Sequence, residues 1–341
     1  MTPLRFAAFG AGFWARYQLA AWREVPGAKC VALCDPDRAK AEALAAEAGV
    51  PAVYDDPATL LDREAPDFID VITGVDSHPP LVLMAAERGI PAICQKPMAA
   101  SYGEAERMVS ACREAGVPLL IHENWRWQGA IRAFKAVLDS GRIGRPFRAR
   151  IDFITGFPVF DNQPALRELD QFILTDIGTH ILDAARFLFG EAEGLMALTR
   201  RVHEDIRGED VASVMLAMQG GAIVSCNMAY AGNPLEVDRF PETFVAVEAD
   251  RGSARLDPDF WIRETTAEGT FSRRCPPARF PWADPSYDAA HASMVPCLAD
   301  LLAHLGGGRR AETTGEDNLR TLRLVFESYR SAAERRFITL A

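Results

Sequence analysis

The sequence has no long hydrophobic run and no concentration of positive charge. No stretch approaches the ~18–20 consecutive apolar residues that a membrane-spanning helix needs, and the first ten residues lack the apolar segment of a signal peptide. Acidic residues outnumber basic ones, 47 to 37, and the charges are scattered, so the basic stripe that binds a phosphate backbone is missing. We therefore expect a cytoplasmic protein that binds neither membranes nor nucleic acid.

Cysteine pairs with a recognisable spacing are also missing. The seven cysteines form an odd set with no Cys-x-x-Cys pair and no metal-ligand spacing, which is typical of a reducing compartment. We expect them to be buried thiols. The remaining composition, with 49% hydrophobic and 25% charged residues, is that of a globular protein. A length of 341 residues corresponds to about two domains.

The first third of the chain alternates short β-type runs with alanine-rich amphipathic segments, as βαβ units with a parallel sheet do. The predicted strands are Arg5–Phe9, Cys30–Cys34, Ala52–Tyr54, Phe68–Thr73, Ala92–Cys94 and Pro118–His122. The predicted helices, each followed by a glycine as helix C-termini prefer, are Phe13–Val25, Asp37–Ala48, Pro80–Arg88 and Ser101–Ala115. Residues 1–125 are therefore predicted to form a doubly wound α/β domain of the Rossmann type.

After residue 125 the pattern changes to longer alternating runs with hairpin signals at Gln219–Gly221 and Asp250–Gly252. The predicted helices of this part are Ala130–Leu138, Phe172–Phe189, Asp288–Leu305 and Glu316–Arg335. Residues 126–341 are predicted to form an α/β domain on a large, mainly antiparallel open sheet, with a C-terminal helix that can pack back on the first domain. The stretch Phe271–His291 has no periodicity, and we expect a loop that covers a substrate cleft or a subunit interface; solvated surface is the alternative.

The first candidate site is a G-x-G-x-x-A pattern at Gly10–Ala15, directly after the first strand. Glycine is needed where a tight turn brings the backbone against a pyrophosphate. The free N–H groups at the start of the next helix bind the negative charge of that pyrophosphate. Asp35 ends the second strand, where an acidic residue accepts from ribose hydroxyls and repels a 2′-phosphate. The pattern favours NAD over NADP, and a plain tight turn is the alternative. The predicted cofactor contacts here are Gly10, Gly12, Phe13, Trp14, Asp35 and Arg38, the last with a solvated helix residue as the alternative.

Two further segments, Thr73–His78 and Gln95–Pro97, follow later strands of the same domain. Open α/β sheets bind their ligands at these carboxyl ends. A lysine that closes a buried apolar strand is costly unless its ammonium group reaches a cleft or a partner. We therefore predict that Thr73, His78, Gln95 and Lys96 contact the cofactor, with a surface lysine as the alternative for Lys96.

A third candidate site lies in the predicted helix of the second domain. Asp176, His180 and Asp183 have i, i+4, i+7 spacing and would share one helix face among apolar residues. One interpretation is a general base, His180, held by Asp176. The alternatives are a packed histidine beside a surface ion pair between Asp183 and Arg186, and a metal site formed by the histidine and the two carboxylates.

The stretch His122–Gln128 places hydrogen-bonding groups between aromatic rings where the chain enters the second domain. Asn124, Arg126 and Trp127 are suited to the hydroxyls and faces of a sugar. We predict that they bind substrate, and packing between the domains is the alternative.

Taken in order, these motifs resemble the glucose-fructose oxidoreductase, inositol dehydrogenase and rhizopine catabolism family, Gfo/Idh/MocA. The resemblance implies an N-terminal Rossmann domain and a C-terminal α/β domain whose open sheet forms a dimer or tetramer interface. It also implies that Lys96 corresponds to the lysine of the family's Glu-Lys-Pro motif, His180 to the catalytic histidine and Asp176 to the aspartate before it. The chain departs from the family by having Gln95 in place of glutamate.

The resemblance further implies an NAD-dependent dehydrogenase without a metal, in which Lys96 and His180 act as an acid/base pair on a hydroxyl of a cyclic sugar or polyol. The segments 10–18 and 122–128 look like a subgroup that acts on aldoses such as D-apiose, although an inositol would use the same residues. Two alternatives remain open: a redox-cycling glycosidase or reductase on the same fold, and a non-catalytic regulator that binds a dinucleotide.

Overall fold

The chain forms two compact units, which we describe separately from a computed structural model covering residues 2–232 and 240–340. The first unit comprises Met1–Glu123, Phe280–Ala283 and Met294–Leu322. The second comprises Asn124–Arg279, Asp284–Ser293 and Arg323–Ala341. Among the described residues, the helices are all too short or too polar to cross a membrane.

The first unit is built on a six-stranded parallel sheet with the order β3-β2-β1-β4-β5-β6. The strands are β1 (Leu4–Phe9), β2 (Ala28–Cys34), β3 (Ala52–Tyr54), β4 (Phe68–Val71), β5 (Ala92–Gln95) and β6 (Leu119–His122). The connecting helices are α1 (Phe13–Trp22), α2 (Arg38–Ala48), α3 (Pro57–Glu64), α4 (His78–Glu87) and α5 (Tyr102–Glu114). The predicted Rossmann architecture is confirmed, with strand ends that differ by one or two residues.

Two helices of this unit differ from the prediction. The first ends at Trp22, and the chain continues in turns to Val25 instead of completing another helical turn. Helix α3 was not expected from the sequence because it is short and its apolar positions are few. Its start does carry local signals, since Asp56 accepts a hydrogen bond from the Thr59 amide at 2.7 Å and Pro57 occupies the first helical turn.

The second unit contains a nine-stranded sheet with the order β14-β13-β12-β11-β7-β10-β9-β8-β15. The strands are β7 (Pro146–Thr155), β8 (Ala192–Arg200), β9 (Val211–Met218), β10 (Ile223–Tyr230), β11 (Phe244–Ala249), β12 (Gly252–Asp257), β13 (Trp261–Thr266), β14 (Gly269–Arg274) and β15 (Ile338–Thr339). All neighbouring pairs are antiparallel except β7 and β10. The mainly antiparallel sheet is therefore confirmed, and both predicted hairpins join neighbouring strands.

The remaining helices are α6 (Gly129–Asp139), α7 (Val159–Asn162), α8 (Thr179–Phe189), α9 (Asp288–Leu305) and α10 (Gly315–Glu334). The prediction of an irregular loop over Phe271–His291 is wrong at both ends. Phe271–Arg274 belongs to the edge strand β14, and α9 begins at Asp288. All six residues of β14 are exposed, so neither face selects apolar side chains and the strand leaves no periodicity in the sequence.

The cysteines are free thiols, as expected. Five of the seven are buried, while Cys30 and Cys275 are half-buried. Burial raises the pKa of the Cys34 thiol to about 12, so this thiol stays protonated at neutral pH.

A carboxylate, Asp70, lies in the apolar core of the first unit. Asp70 lies in the central strand β4 with no exposed surface, and burial raises its pKa to about 6. Because the folded chain holds this proton more tightly than the unfolded chain, the contribution of Asp70 to stability is complete below about pH 4 and is lost as the pH rises through 6.

We therefore expect the Asp70→Asn variant, which does not titrate, to gain stability relative to wild type between pH 4.5 and 7.5. A shift of about two pKa units corresponds to a change of roughly 3 kcal/mol in the difference between their free energies of unfolding. Urea unfolding at several pH values measures it, with the exposed Asp55→Asn variant as the control. Parallel curves for Asp70→Asn and wild type would contradict the expectation.

Candidate active site

The glycine-rich turn after β1 leaves room for a ligand at the start of α1. Gly10 has a φ of +103°, and a Cβ there would lie 2.3 Å from the carbonyl oxygen of Ile72, so a side chain does not fit. At Gly12, by contrast, a Cβ would meet no described atom within 4 Å. In the described structure the first turn of α1 has neither an acidic residue nor a side-chain cap. Its N–H groups therefore suit the pyrophosphate of a dinucleotide.

Asp35 connects this turn to the end of β2. One carboxylate oxygen accepts a hydrogen bond from the Ala11 amide at 2.7 Å, and the other accepts from the Asp37 amide at 2.8 Å. Each oxygen has a second lone pair that can accept a ribose hydroxyl. Arg38 is exposed and lies against Glu42 at 2.9 Å and Asp55 at 3.8 Å. Two acidic neighbours oppose the binding of a 2′-phosphate at this guanidinium group.

From this arrangement we expect kcat/KM with NAD to exceed that with NADP by at least about tenfold, or roughly 1.4 kcal/mol. The Asp35→Ala variant should lower the ratio of kcat/KM with NAD to kcat/KM with NADP. It should also weaken NAD binding, since it removes the acceptor of the ribose hydroxyls and releases the Ala11 amide. The control is Asp37→Ser, which removes a neighbouring charge and keeps a residue able to cap α2. Steady-state kinetics with both cofactors measure the ratio, and equal use of NAD and NADP by wild type would contradict the expectation.

The remaining predicted cofactor residues of the first unit lie at the ends of α1, β4 and β5. Phe13 and Trp14 are half-buried with ring centroids 5.2 Å apart. His78 is buried, with Nδ1 3.0 Å from the Pro97 carbonyl oxygen and Nε2 3.2 Å from that of Thr73. It therefore connects the two predicted segments to each other. Lys96 is half-buried at the end of β5, and direct contact of these residues with the cofactor stays a prediction.

In the second unit, the predicted helix over Phe172–Phe189 is divided. Leu174–Gly178 forms a π-helical turn, and α8 begins only at Thr179. The prediction of a shared face for Asp176 and His180 assumes a continuous α-helix, whereas His180 lies in the first turn of α8 and Asp176 in the π turn. Such turns are frequent at functional sites.

His180 is buried and lies parallel to an aromatic ring. The centroids of His180 and Trp125 are 4.2 Å apart with an interplanar angle of 20°, and the indole N–H of Trp125 donates to the Thr243 hydroxyl at 2.9 Å. The hydroxyl of Tyr230 donates to the Asp176 carboxylate at 3.4 Å. Burial raises the pKa of Tyr230, which keeps this hydroxyl protonated.

Neither Trp125 nor Tyr230 is among the site residues predicted from the sequence. Trp125 stands within the stretch chosen for substrate binding, so its aromatic character was an available signal. Tyr230 ends β10, and it is 54 residues from Asp176 in the chain. No local motif connects two residues so far apart.

Asp183 is bound by two arginines in the interior of the second unit. Its carboxylate accepts from Arg126 Nε at 2.7 Å and Nη2 at 2.5 Å, and Arg186 lies at 3.8 Å. The ion pair between Asp183 and Arg186, which belonged to the alternative interpretation, exists, but it is buried and not at the surface. Because Asp183 holds the Arg126 guanidinium, a substrate can use only the remaining N–H groups of Arg126, and that contact stays a prediction.

The other two predicted substrate residues make packing contacts within the same unit. The Asn124 amide donates to the Ser293 hydroxyl at 2.9 Å, and the Arg132 guanidinium lies 3.6 Å from the centre of the Trp127 ring system. Substrate binding by Asn124 and Trp127 stays a prediction. In the described part of the chain, no group of three or more His, Cys, Asp or Glu side chains is arranged to hold a metal ion.

Comparison with known proteins identifies the family. A model described as an oxidoreductase family with an NAD-binding Rossmann fold matches residues 4–123, and the GFO/IDH/MocA C-terminal domain matches residues 131–255. The chain belongs to the Gfo/Idh/MocA family. It is an NAD-dependent oxidoreductase, and the space at Gly12, the uncapped start of α1 and Asp35 fit that cofactor.

Particular relatives cover the whole chain. D-apiose dehydrogenase of Paraburkholderia graminis is 42% identical over 99% of this chain and 91% of its own length. D-apiose dehydrogenase of Rhizobium rhizogenes is 40% identical over 100% of this chain and 98% of its own length. A solved oxidoreductase from Agrobacterium radiobacter, in complex with NAD+, L-tartaric acid and magnesium, is 40% identical, with a TM-score of 0.97 over 99% of this chain and 98% of its own.

Proposed function

We propose that this protein is a D-apiose dehydrogenase that oxidises a hydroxyl of the cyclic sugar with NAD+. The observation that carries the proposal is the 42% and 40% identity to two proteins of that name over essentially the full chain. The uncapped start of α1 beside Gly12 supports the binding of the dinucleotide, and the buried His180 supports acid/base chemistry.

NAD+ supplies the hydride acceptor when it is bound, so the chain has to position the sugar and manage one proton and one developing charge. In this proposal His180 accepts the proton of the hydroxyl that is oxidised. The Lys96 ammonium group hydrogen-bonds the same oxygen and stabilises its negative charge as the proton leaves. In this proposal Trp125, which stacks on His180, fixes the plane of the imidazole ring. Asp176, whose carboxylate accepts from the Tyr230 hydroxyl, orients the same ring.

A substrate screen tests the proposal. The purified chain is assayed with D-apiose, other aldoses, inositols and sugar acids, and the absorbance of NADH is recorded. We expect the highest kcat/KM with D-apiose and one NADH per sugar oxidised. Net NADH formation excludes a redox-cycling glycosidase, whereas tight NAD binding without turnover of any sugar or polyol would overturn the proposal in favour of a regulator.

We also propose that the chain forms a homodimer or homotetramer through the open face of the nine-stranded sheet. Large apolar side chains on this face are half or more exposed, with Leu198 at 60%, Met215 at 54% and Ile223 at 51%. Met215 lies opposite Met196, so the apolar surface continues across neighbouring strands. A contiguous exposed apolar patch favours a protein interface, and a two-fold axis lets the same patch cover itself on a second copy.

The Met215→Glu variant tests this surface, since it places a charge in the middle of the patch. We expect it to shift the chain to monomers at micromolar concentration, as measured by sedimentation velocity. Ala43→Glu, which adds the same charge at an exposed position of α2, is the control and should leave the assembly unchanged. Wild-type chain that is monomeric, or Met215→Glu that assembles like wild type, would contradict the proposed interface.

A further inference from the structure

A buried carboxylate in the first unit begins a chain of hydrogen bonds that leads to Lys96. Asp70 lies in β4, opposite Ala8 on β1 and Ile93 on β5, where the other side chains are apolar. Both of its oxygens accept from the Gln18 amide nitrogen at 2.9 Å, and one also accepts from the Trp22 indole N–H at 2.7 Å. These donors are neutral, so the anion is stabilised by hydrogen bonds alone, which is a costly way to bury a charge.

The carboxylate determines the orientation of the next two amides. An ionised carboxylate only accepts hydrogen bonds, so Gln18 has to present its NH2 group to Asp70 and its carbonyl oxygen to Gln95. Gln95 in turn has to present its NH2 group to that oxygen, at 2.6 Å. The carbonyl oxygen of Gln95 is thereby left to accept the backbone N–H of Lys96, at 3.1 Å.

The same amide group also reaches a histidine. The Gln95 nitrogen lies 3.1 Å from Nδ1 of His122, a buried residue at the end of β6. Since the amide nitrogen is a donor, Nδ1 has to be an acceptor, and the ring proton of His122 belongs on Nε2. The tautomer of His122 therefore reports the orientation of Gln95.

We infer that Asp70, acting through Gln18 and Gln95, is a positioning residue for Lys96. The inference rests on the proposed function of Lys96 in the reaction. The Lys96–Pro97 segment is held on one side by the Gln95 oxygen on the Lys96 amide and on the other by the His78 ring at the Pro97 carbonyl. Because the carboxylate at position 70 only accepts hydrogen bonds, the Gln95 side chain has one amide orientation, with its oxygen toward the Lys96 N–H. The segment that carries the Lys96 ammonium group is therefore held in one orientation.

The Asp70→Asn variant tests the inference, because asparagine has nearly the same shape but both donates and accepts. Gln18 can then bind residue 70 in either amide orientation. We expect kcat to fall about tenfold, since small misplacements of a reacting group are costly, while KM for NAD changes less than about twofold. We also expect the nitrogen chemical shifts of His122 to show a mixture of tautomers.

A second variant restores the single amide orientation of Gln95. Adding Gln18→Glu to Asp70→Asn moves the carboxylate one step along the chain, where it accepts from residue 70 and from Gln95. We expect this double variant to recover kcat to within about threefold of wild type and to restore a single His122 tautomer. Asp300→Asn is the control, because Asp300 is a buried carboxylate of the same unit that accepts from the Glu312 amide and should change neither measurement.

The activities of all variants are compared at a temperature below the thermal unfolding midpoint of each variant. Wild-type kcat and a single His122 tautomer in Asp70→Asn would overturn the inference, and so would a loss of kcat that Gln18→Glu does not repair while the tautomer stays unchanged. If Lys96→Met retained full activity, the proposed function of Lys96 would fail. The tautomer of His122 would still decide whether Asp70 determines the orientation of Gln95.

Discussion

Replacing His180 with asparagine is expected to lower kcat by ~10²–10⁴-fold, the contribution of a general base. Asparagine is smaller than histidine but keeps a hydrogen-bonding group close to Cβ, and it accepts no proton at neutral pH. NAD binding, measured by quenching of tryptophan fluorescence, should stay near wild type because the turn at Gly10 and the acceptor Asp35 are unchanged.

The pH dependence separates loss of a base from loss of structure. Only an imidazole without its second proton can accept the proton of the sugar hydroxyl, so kcat/KM of wild type should rise with pH through one ionisation that His180→Asn abolishes. His304→Asn, which changes a histidine of the first unit outside the candidate site, should keep the wild-type profile. If His180→Asn retained activity within a few-fold, His180 would be a packed histidine beside Trp125 and the base would have to be sought elsewhere.

Replacing Lys96 with methionine is expected to lower kcat by about 10²–10³-fold. Methionine keeps most of the apolar stem of the side chain and removes the ammonium group, with its charge and its hydrogen-bond donors. The ammonium group interacts most strongly with the oxygen once negative charge develops there, so kcat should fall far more than KM for the sugar rises.

The exposed Lys40→Met variant provides the matched control for the same substitution. It should keep both constants near wild type. A Lys96→Met variant that raises KM for NAD without lowering kcat would mean that Lys96 only binds the cofactor, and the stabilisation of charge would then have to come from another donor.

Much of the first unit could be predicted because its signals are local. The turn at Gly10–Ala15 requires glycine within a few residues of the strand that precedes it, and Asp35 follows the next strand. Short buried strands between amphipathic helices leave apolar runs that can be recognised along the chain. Helix α3 and the edge strand β14 were missed for the opposite reason, since one is too short and the other too exposed to leave a periodic pattern.

The candidate site, like the fold, was predicted from the sequence only in part. Lys96, Asp176 and His180 were predicted from their order along the chain and from the resemblance to a family. The π turn before His180 was not, because a π turn and an α turn can have the same residue pattern. Nor did the sequence show that Asp183 holds Arg126, which is 57 residues away.

The order of the motifs along the chain indicated the family through resemblance. By itself, the sequence also determined the parallel α/β unit, the mainly antiparallel open sheet and the dinucleotide turn. These depend on residue spacing and on which side chains alternate, and both properties can be read from one segment at a time. Only the tertiary structure decided which polar groups share a hydrogen bond. Asp70 meets Gln18 across 52 residues, and Gln18 meets Gln95 across 77. A buried donor must find an acceptor wherever the fold places one, so these partnerships follow from the packing of the strands and not from the order of residues along them.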